Sequence, residues 1–395
     1  MRKIYLDHAA TTPLDARVLE VMLPYLREVF GNPSSLHDWG DEPRDALETA
    51  RGQVASLIGA QAQEIIFTGN ATEANNFAIK GLALAQQDKG KHILVSAVEH
   101  FSVLNAAKTM GKLGFEVGQV PVDKHGLVNP EEVKRRLRQD TILVSVMHAN
   151  AEIGTIEPIA EIARVVKETG AVFHTDAAAS TGTIPIKVTD LGVDALTIAA
   201  NQFYGPKGVG ALWVRRGVRI MPLLDGGIQE GGRRAGTEDV AAIVGFGKAA
   251  ELAQEEMSAH LEHLVPLRDY LIQGVSSRIE HFILTGHPSG RLPGHASFCI
   301  EFIEGEAMLM LLNAQGVAAS SGSSCTSRAL KASHVLTAIG LPPEIAQGSL
   351  VFTLGRSTSR EDIDYVLKEL PPVVERLRQM SPLFAKFVKA QKGGK

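Results

Sequence analysis

Short apolar runs and helical patterns alternate along the first half of the chain. The runs are Glu64–Phe67, His92–Ser96, Thr141–Met147, Ala171–His174, Asp194–Ile198 and Gly210–Val214, each of a length that suits a strand. Between them, Thr72–Ala85, Ser102–Leu113 and Ile159–Thr169 place apolar residues three or four positions apart, as a helix with one buried face requires. This alternation predicts an α/β chain with a largely parallel sheet in a doubly wound layer structure, and ligands of such sheets sit at the carboxyl ends of the strands. From about Thr237 the pattern changes. A long helical stretch runs to about Ile279, and the strand-like Ala296–Phe302 and Leu350–Leu354 then alternate with helices near Glu306–Asn313 and Arg360–Met380. This part reads as a second, smaller α+β domain. The tail after Pro382 carries Lys386, Lys389, Lys392 and Lys395 and no acidic residue, and it is expected to be a frayed, solvated end.

Composition narrows the function classes. The 395 residues include 40 Lys and Arg against 44 Asp and Glu, a formal charge of −4, so there is no chain-wide basic field for nucleic acid. With 45% hydrophobic and 21% charged residues, the chain has the mix of a globular protein with a large core. The two cysteines, Cys299 and Cys325, exclude a disulfide framework. No apolar stretch is long enough to span a membrane. The start, Met1 to Pro13, has Asp7 and His8 where a signal peptide needs apolar residues, so a cytoplasmic location is expected.

Several residues at predicted strand ends are suited to chemistry. Thr68-Gly69-Asn70-Ala71-Thr72-Glu73 leaves a strand and opens a helix. Such a turn either presents N–H groups to an anion or is an ordinary turn capped by Thr72. His100 and Asp176 each follow a strand. Asp176 suits a protonated heteroaromatic nitrogen or a simple turn, and His100 suits a stacked, titrating role or a structural hydrogen bond. Arg356 follows another strand and offers a fork for a carboxylate or for a surface ion pair. Cys325 lies in the small, polar run Ala318–Ser327, an accessible setting for a reactive or metal-binding thiol. Cys299, within Phe298-Cys299-Ile300, reads as a buried, inert thiol.

In order along nearly the whole chain, these pieces resemble the NifS/IscS-type cysteine desulfurases. The matching motifs are Tyr5–Pro13, Phe30-Gly31-Asn32-Pro33-Ser34-Ser35, Ala71–Asn76, Glu99-His100, Tyr204-Gly205-Pro206-Lys207-Gly208 and Leu354-Gly355-Arg356. The resemblance implies the fold type I architecture of pyridoxal-phosphate (PLP) enzymes. That architecture has a large domain over residues 15–260 with a mostly parallel seven-stranded sheet, and a small domain from 1–14 and 261–395. It also implies a homodimer that takes sulfur from cysteine as a persulfide and passes it to an IscU-type scaffold. By the same resemblance His100 would be the acid/base over the cofactor ring and Asp176 the partner of its nitrogen. Ala71, Thr72 and, from the second subunit, Thr237 would border the phosphate, Arg356 would hold the substrate carboxylate, and Cys325 would accept the sulfur.

The departures from that pattern fall together. Gln202 stands where the family has its Schiff-base lysine, and an amide nitrogen neither forms an imine nor shuttles a proton. Asn201, Ala199, Ala179, Ala151 and Asn70 replace a His, a Ser, a Gln, an Asn and a Gly of the same site. Lys207 lies in a motif that the lysine-bearing enzymes also possess, so a structural role is expected for it. The expectation is therefore a degenerate site with no covalent PLP and at most weak PLP binding. Cys325 would serve as sulfur carrier or as ligand of a [2Fe-2S] cluster held in a scaffold complex. The alternative is an active desulfurase using noncovalently bound PLP.

Overall fold

The computed structural model describes residues 3–322 and 332–393. Its centre is a seven-stranded sheet built from β2 (Ile65–Thr68), β3 (His92–Ser96), β4 (Glu116–Val120), β5 (Thr141–Ser145), β6 (Val172–Asp176), β7 (Ala195–Ala199) and β8 (Gly210–Val214). The spatial order is β2-β8-β7-β6-β5-β3-β4. Only β8 runs against its neighbours, so all the other strands point their carboxyl ends the same way. Every residue of β3, β5, β6, β7 and β8 is buried, because helices cover both faces. The edge strand β4, Glu-Val-Gly-Gln-Val, is half solvated, which is why no apolar run marks it in the sequence.

The helix predicted over Thr72–Ala85 is interrupted. Ala71–Asn76 and Leu82–Gln86 are α-helical, and Phe77–Gly81 between them is a π turn. A Cβ on Gly81 would lie 2.5 Å from the Met221 carbonyl oxygen, so the widened turn brings backbone against backbone where only glycine fits.

The long helix is Val240–Ser276. It packs along Asp38–Leu57 so closely that a Cβ on Gly247 would meet Ala50 Cα at 2.6 Å. Beyond it, β9 (Phe282–Leu284), β10 (His295–Ile300) and β12 (Ser349–Thr353) form an antiparallel sheet. The two-residue strands β1 (Ile4–Tyr5) and β11 (Val317–Ala318) pair in parallel. Ile4 and Leu6 share a core with Leu264, Phe298, Phe352 and Leu370, whereas the residues flanking the large sheet form two other clusters.

The tail is not frayed. Pro382–Gly393 is helical, and Phe387 sets its ring tilted at 4.7 Å from Phe302 and edge-on at 4.8 Å from His281, with Phe384 beside them. The aromatic side chains anchor the segment, and its Lys386 and Lys389 are exposed.

Candidate active site

Carboxyl ends of the parallel strands carry Asp176, His100 and Gln202, and hydrogen bonds link the first two. Asp176 ends β6 and is 5% exposed. Its Oδ1 accepts from the Ala178 N–H at 3.0 Å and its Oδ2 from Asn75 Nδ2 at 2.6 Å. The same Asn75 amide donates to Ser102 Oγ at 2.8 Å, and Ser102 Oγ lies 2.7 Å from His100 Nδ1. His100 Nδ1 also accepts the Ser102 N–H, capping the helix Phe101–Lys112. With Asn75 already donating to it, the Ser102 hydroxyl donates to Nδ1, which leaves the ring proton on Nε2. A buried polar chain therefore orients His100 from Asp176. Asn75 lies within the matching motif Ala71–Asn76 without being singled out there, and Ser102 carries no distinguishing signal in the sequence.

Glu99, just before His100, is fully buried. Its Oε1 accepts the Met147 N–H at 2.6 Å, and burial, then the charge of Asp176, holds its carboxyl well above the usual range. Burial also pushes Glu152 and Glu157 up to about 8. A carboxyl raised in the folded state contributes stability that is complete below its unfolded value and is lost as pH rises through the folded one. Below about pH 6.5 the buried His148, His174 and His295, which burial pushes down to about 4, 3 and 3, contribute the opposite slope. We therefore predict that stability to denaturant falls between about pH 6.5 and pH 8. Glu157→Gln, which retains an acceptor for the Val128 N–H, should flatten part of that fall, and identical pH profiles for the two proteins would refute it.

The turn after β2 is satisfied by its own chain. Asn70, not Thr72, caps the helix, its side chain accepting the Glu73 N–H at 2.9 Å. The Gly69 N–H, a donor suited to an anion, is taken by Glu73 Oε2 at 2.7 Å, and Glu73 is in turn paired with Arg234 at 2.9 Å. Ala71 is half-buried and Thr72 exposed. Thr237 is exposed on the loop before Val240–Ser276 and does not line the cleft described next.

That cleft, of about 80 Å³, includes His8, Ala9, Ala151, Ala179, Gln202 and Tyr204 in its wall, and no lysine is among its lining residues. Gln202 closes a 3₁₀ turn, Ala200–Gln202, at the end of β7, and its Nε2 donates to the Ala9 carbonyl at 3.0 Å. Asn201 Nδ2 reaches Thr11 Oγ1 at 3.4 Å, and the Asn201 carbonyl accepts from Thr12 through both its N–H and its hydroxyl. The two amides thus tie the turn to the N-terminal segment. Ala151 offers only its carbonyl, which accepts from His295 Nε2 at 2.9 Å.

Arg356 is already engaged. Its N–H donates to the Tyr204 hydroxyl at 2.7 Å, its guanidinium lies 4.2 Å over the Tyr204 ring, and it forms an ion pair with Asp15. Arg17, then Arg356, holds the Asp15 carboxyl well below the usual carboxylate range. Cys325 lies outside the described residues. Cys299 is completely buried, and burial pushes its thiol up to about 12, as its apolar strand predicts.

Residues 4–366 match the family described as aminotransferase class-V. The chain is 53% identical over 381 residues to a cysteine desulfurase IscS of Dictyoglomus turgidum, covering 96% of this chain and 97% of the relative. It is 51% identical to cysteine desulfurase IscS 1 of Archaeoglobus fulgidus, with coverages of 96% and 99%.

The chain belongs to the IscS/NifS cysteine desulfurases of the class-V aminotransferase family.

Its fold agrees. A solved NifS-like protein superimposes with a TM-score of 0.89 at 37% identity over 95% of this chain and all of the other. The sheet is accordingly that of fold type I, the architecture of PLP-dependent enzymes. PLP is the cofactor of this desulfurase family, and the residues present do not fit its lysine-anchored form. The Gln202 amide is not nucleophilic and is spent on Ala9, the Gly69 N–H is spent on Glu73, and no cleft-lining side chain supplies an amine.

Proposed function

We propose that this chain is an iron–sulfur cluster assembly protein of the desulfurase family whose PLP site is degenerate. It docks an IscU-type scaffold and uses Cys325 as sulfur carrier or as a ligand of the scaffold's [2Fe-2S] cluster. The observation that carries this reading is Gln202, an amide tied to Ala9 at the position of the Schiff-base lysine. Thiolate suits both roles, since iron clusters prefer sulfur ligands and persulfides form on sulfur.

The second reading is an active, PLP-dependent cysteine desulfurase holding the cofactor without a covalent bond. The relatives favour it more than the first, since those compared are named cysteine desulfurases. The Asp176–Asn75–Ser102–His100 chain also supports it, because it preserves a carboxylate and an oriented imidazole. Absorption spectra with added PLP and L-cysteine, beside assays of alanine and sulfide, separate the two. The first reading expects neither a protein-bound chromophore nor turnover. Saturable binding with stoichiometric alanine would replace it with the second.

The same proposal includes a cytoplasmic homodimer and a domain division at 15–260 against 1–14 and 261–395. The shared core of Ile4 and Leu6 with Leu264–Val374 supports the division. No described helix is long and apolar enough to cross a membrane. Phe30, Leu36, Trp39 and Ile228 are 78%, 102%, 63% and 88% exposed, and a second copy would cover such apolar surface. Sedimentation at micromolar concentration should therefore show a dimer, and a monomer alone would refute this.

If Cys325 ligates the cluster, Cys325→Ser should leave scaffold affinity nearly unchanged yet abolish or shorten the life of the cluster in the anaerobic complex. Cys299→Ser should do neither. An equally long-lived cluster in the Cys325→Ser complex would eliminate the ligand role.

A further inference from the structure

A cavity of about 450 Å³ lies at the pole of the sheet opposite Asp176. Its floor is the amino end of β6, where Ala171 and Val172 are buried, together with Asp194 just before β7. Its walls are chain segments that leave secondary structure there. Lys89 follows the helix Leu82–Gln86, Lys167 ends the helix Ile159–Lys167, and Arg215 and Arg219 follow β8.

The charge of the cavity is unbalanced. Four cations face two carboxylates, Asp88 and Asp194, in a chain whose overall charge is −4. Asp194 is fully used, since it accepts the Phe173 N–H at 2.9 Å and pairs with Arg215 at 2.6 Å. Among the described residues, Lys89, Lys167 and Arg219 take part in no ion pair or side-chain hydrogen bond. Like charges gathered around a concavity with low-dielectric walls raise the local potential, and a bound anion relieves it. A second observation is independent of charge. Gln86 is only 7% exposed, lines the cavity, and its amide has no partner within the described protein. The amide is not sealed in the core: its polar atoms reach solvent and are free to meet a ligand or water.

We propose that this cavity is a binding site for an organic phosphate of nucleotide size. Lys89, Lys167 and Arg219 would receive the phosphate groups, since ammonium and guanidinium donors form short, charge-assisted bonds with them. The Gln86 amide would bond the polar edge of the organic part, and Ala85, Ala171, Val172 and Val218 would pack against its flat face. The volume lies within the range of small-molecule sites. The site uses none of the residues of the Gln202 cleft, so it stands or falls apart from the proposed function.

The test is calorimetric titration of the full-length protein with ADP and with inorganic pyrophosphate at low and at moderate salt, coupled to hydrogen exchange. ADP should bind once per chain, more tightly than pyrophosphate and more weakly as salt screens the cations. Exchange should slow at Gly170–Val172 and Gly217–Arg219. Replacing Lys167 and Arg219 together by alanine should weaken ADP at least about tenfold, because two charge-assisted bonds are lost, with thermal stability unchanged. The pair Lys108→Ala and Lys112→Ala, exposed on another helix, should have no effect. Four results would overturn the proposal: no saturable binding, pyrophosphate binding more tightly than ADP, equal loss in both double variants, or protection mapped elsewhere.

Discussion

Gln202→Lys is expected to give a chain that borohydride links to PLP, yet one that turns over cysteine poorly. The wild-type chain, treated identically, should keep its unmodified mass in denaturing mass spectrometry, because no amine stands at that position. The substitution restores the amine and leaves its surroundings unchanged. Ala151 and Ala179 line the same cleft without a side-chain donor, Ala199 is a buried methyl at the end of β7, and Asn201 is committed to Thr11 and Thr12. Each missing hydrogen bond is worth roughly 0.5–1.5 kcal/mol, so four amount to about 2–6 kcal/mol if they add, which neighbouring groups seldom do. At 1.4 kcal/mol per factor of ten, the lower figure is already about 30-fold in cofactor affinity. Alanine release by the variant should accordingly stay at least about 30-fold below that of a lysine-bearing relative. Turnover equal to such a relative would show that the other replacements are neutral. A borohydride adduct on the wild-type chain would identify a different lysine and remove the basis of the proposed function.

The largest expected loss of stability is at Glu230. Its carboxylate accepts Arg51 Nη1 at 2.7 Å, Arg51 Nη2 at 2.9 Å and the Phe67 N–H at 2.9 Å, with the Arg51 and Glu230 side chains 9% and 2% exposed. Arg51 lies 4.8 Å over the Phe67 ring, so one carboxylate joins the helix Asp38–Leu57, β2 and the loop leading to Thr237. Glu230→Ala takes the buried carboxylate from Arg51, leaving the guanidinium only the exposed Glu48 at Nε, 3.0 Å, and the Ile65 carbonyl at Nη1, 3.2 Å, and it leaves alanine at a φ of 50°. Removing one member of a buried pair costs about 3–5 kcal/mol, which should appear as a large drop in denaturation midpoint. Arg51→Met combined with Glu230→Ala should recover much of that loss, because no unpaired charge then remains buried. A single-variant loss below about 1 kcal/mol would mean that water reaches the guanidinium.

The sequence by itself determined the layer order and the edge of the sheet at which chemistry sits. Each central strand is a run of five buried residues, three or four of them apolar, that buries both faces wherever the chain later folds, so its signal is local. The positions of Asp176 at the end of such a strand and of His100 and Gln202 just beyond two others follow from the same local pattern. The anchoring of Pro382–Gly393 was hidden because its lysines dominate composition, whereas its docking depends on Phe302 and His281 far away in sequence. The helix Asp38–Leu57 contains Gly40, Pro43 and Gly52, and the close approach of Val240–Ser276 stabilises it against that poor propensity.

Only the tertiary structure decided what the candidate groups touch. Asp176 meets Asn75 across 101 positions, Gln202 meets Ala9 across 193, and Arg356 meets Asp15 across 341. Nothing in the residue types selects these partners. A carboxylate, an amide or a guanidinium offers the same donors and acceptors to a ligand as to its own chain. Which of the two it meets is settled by the packing that brings distant segments within about 3 Å of each other.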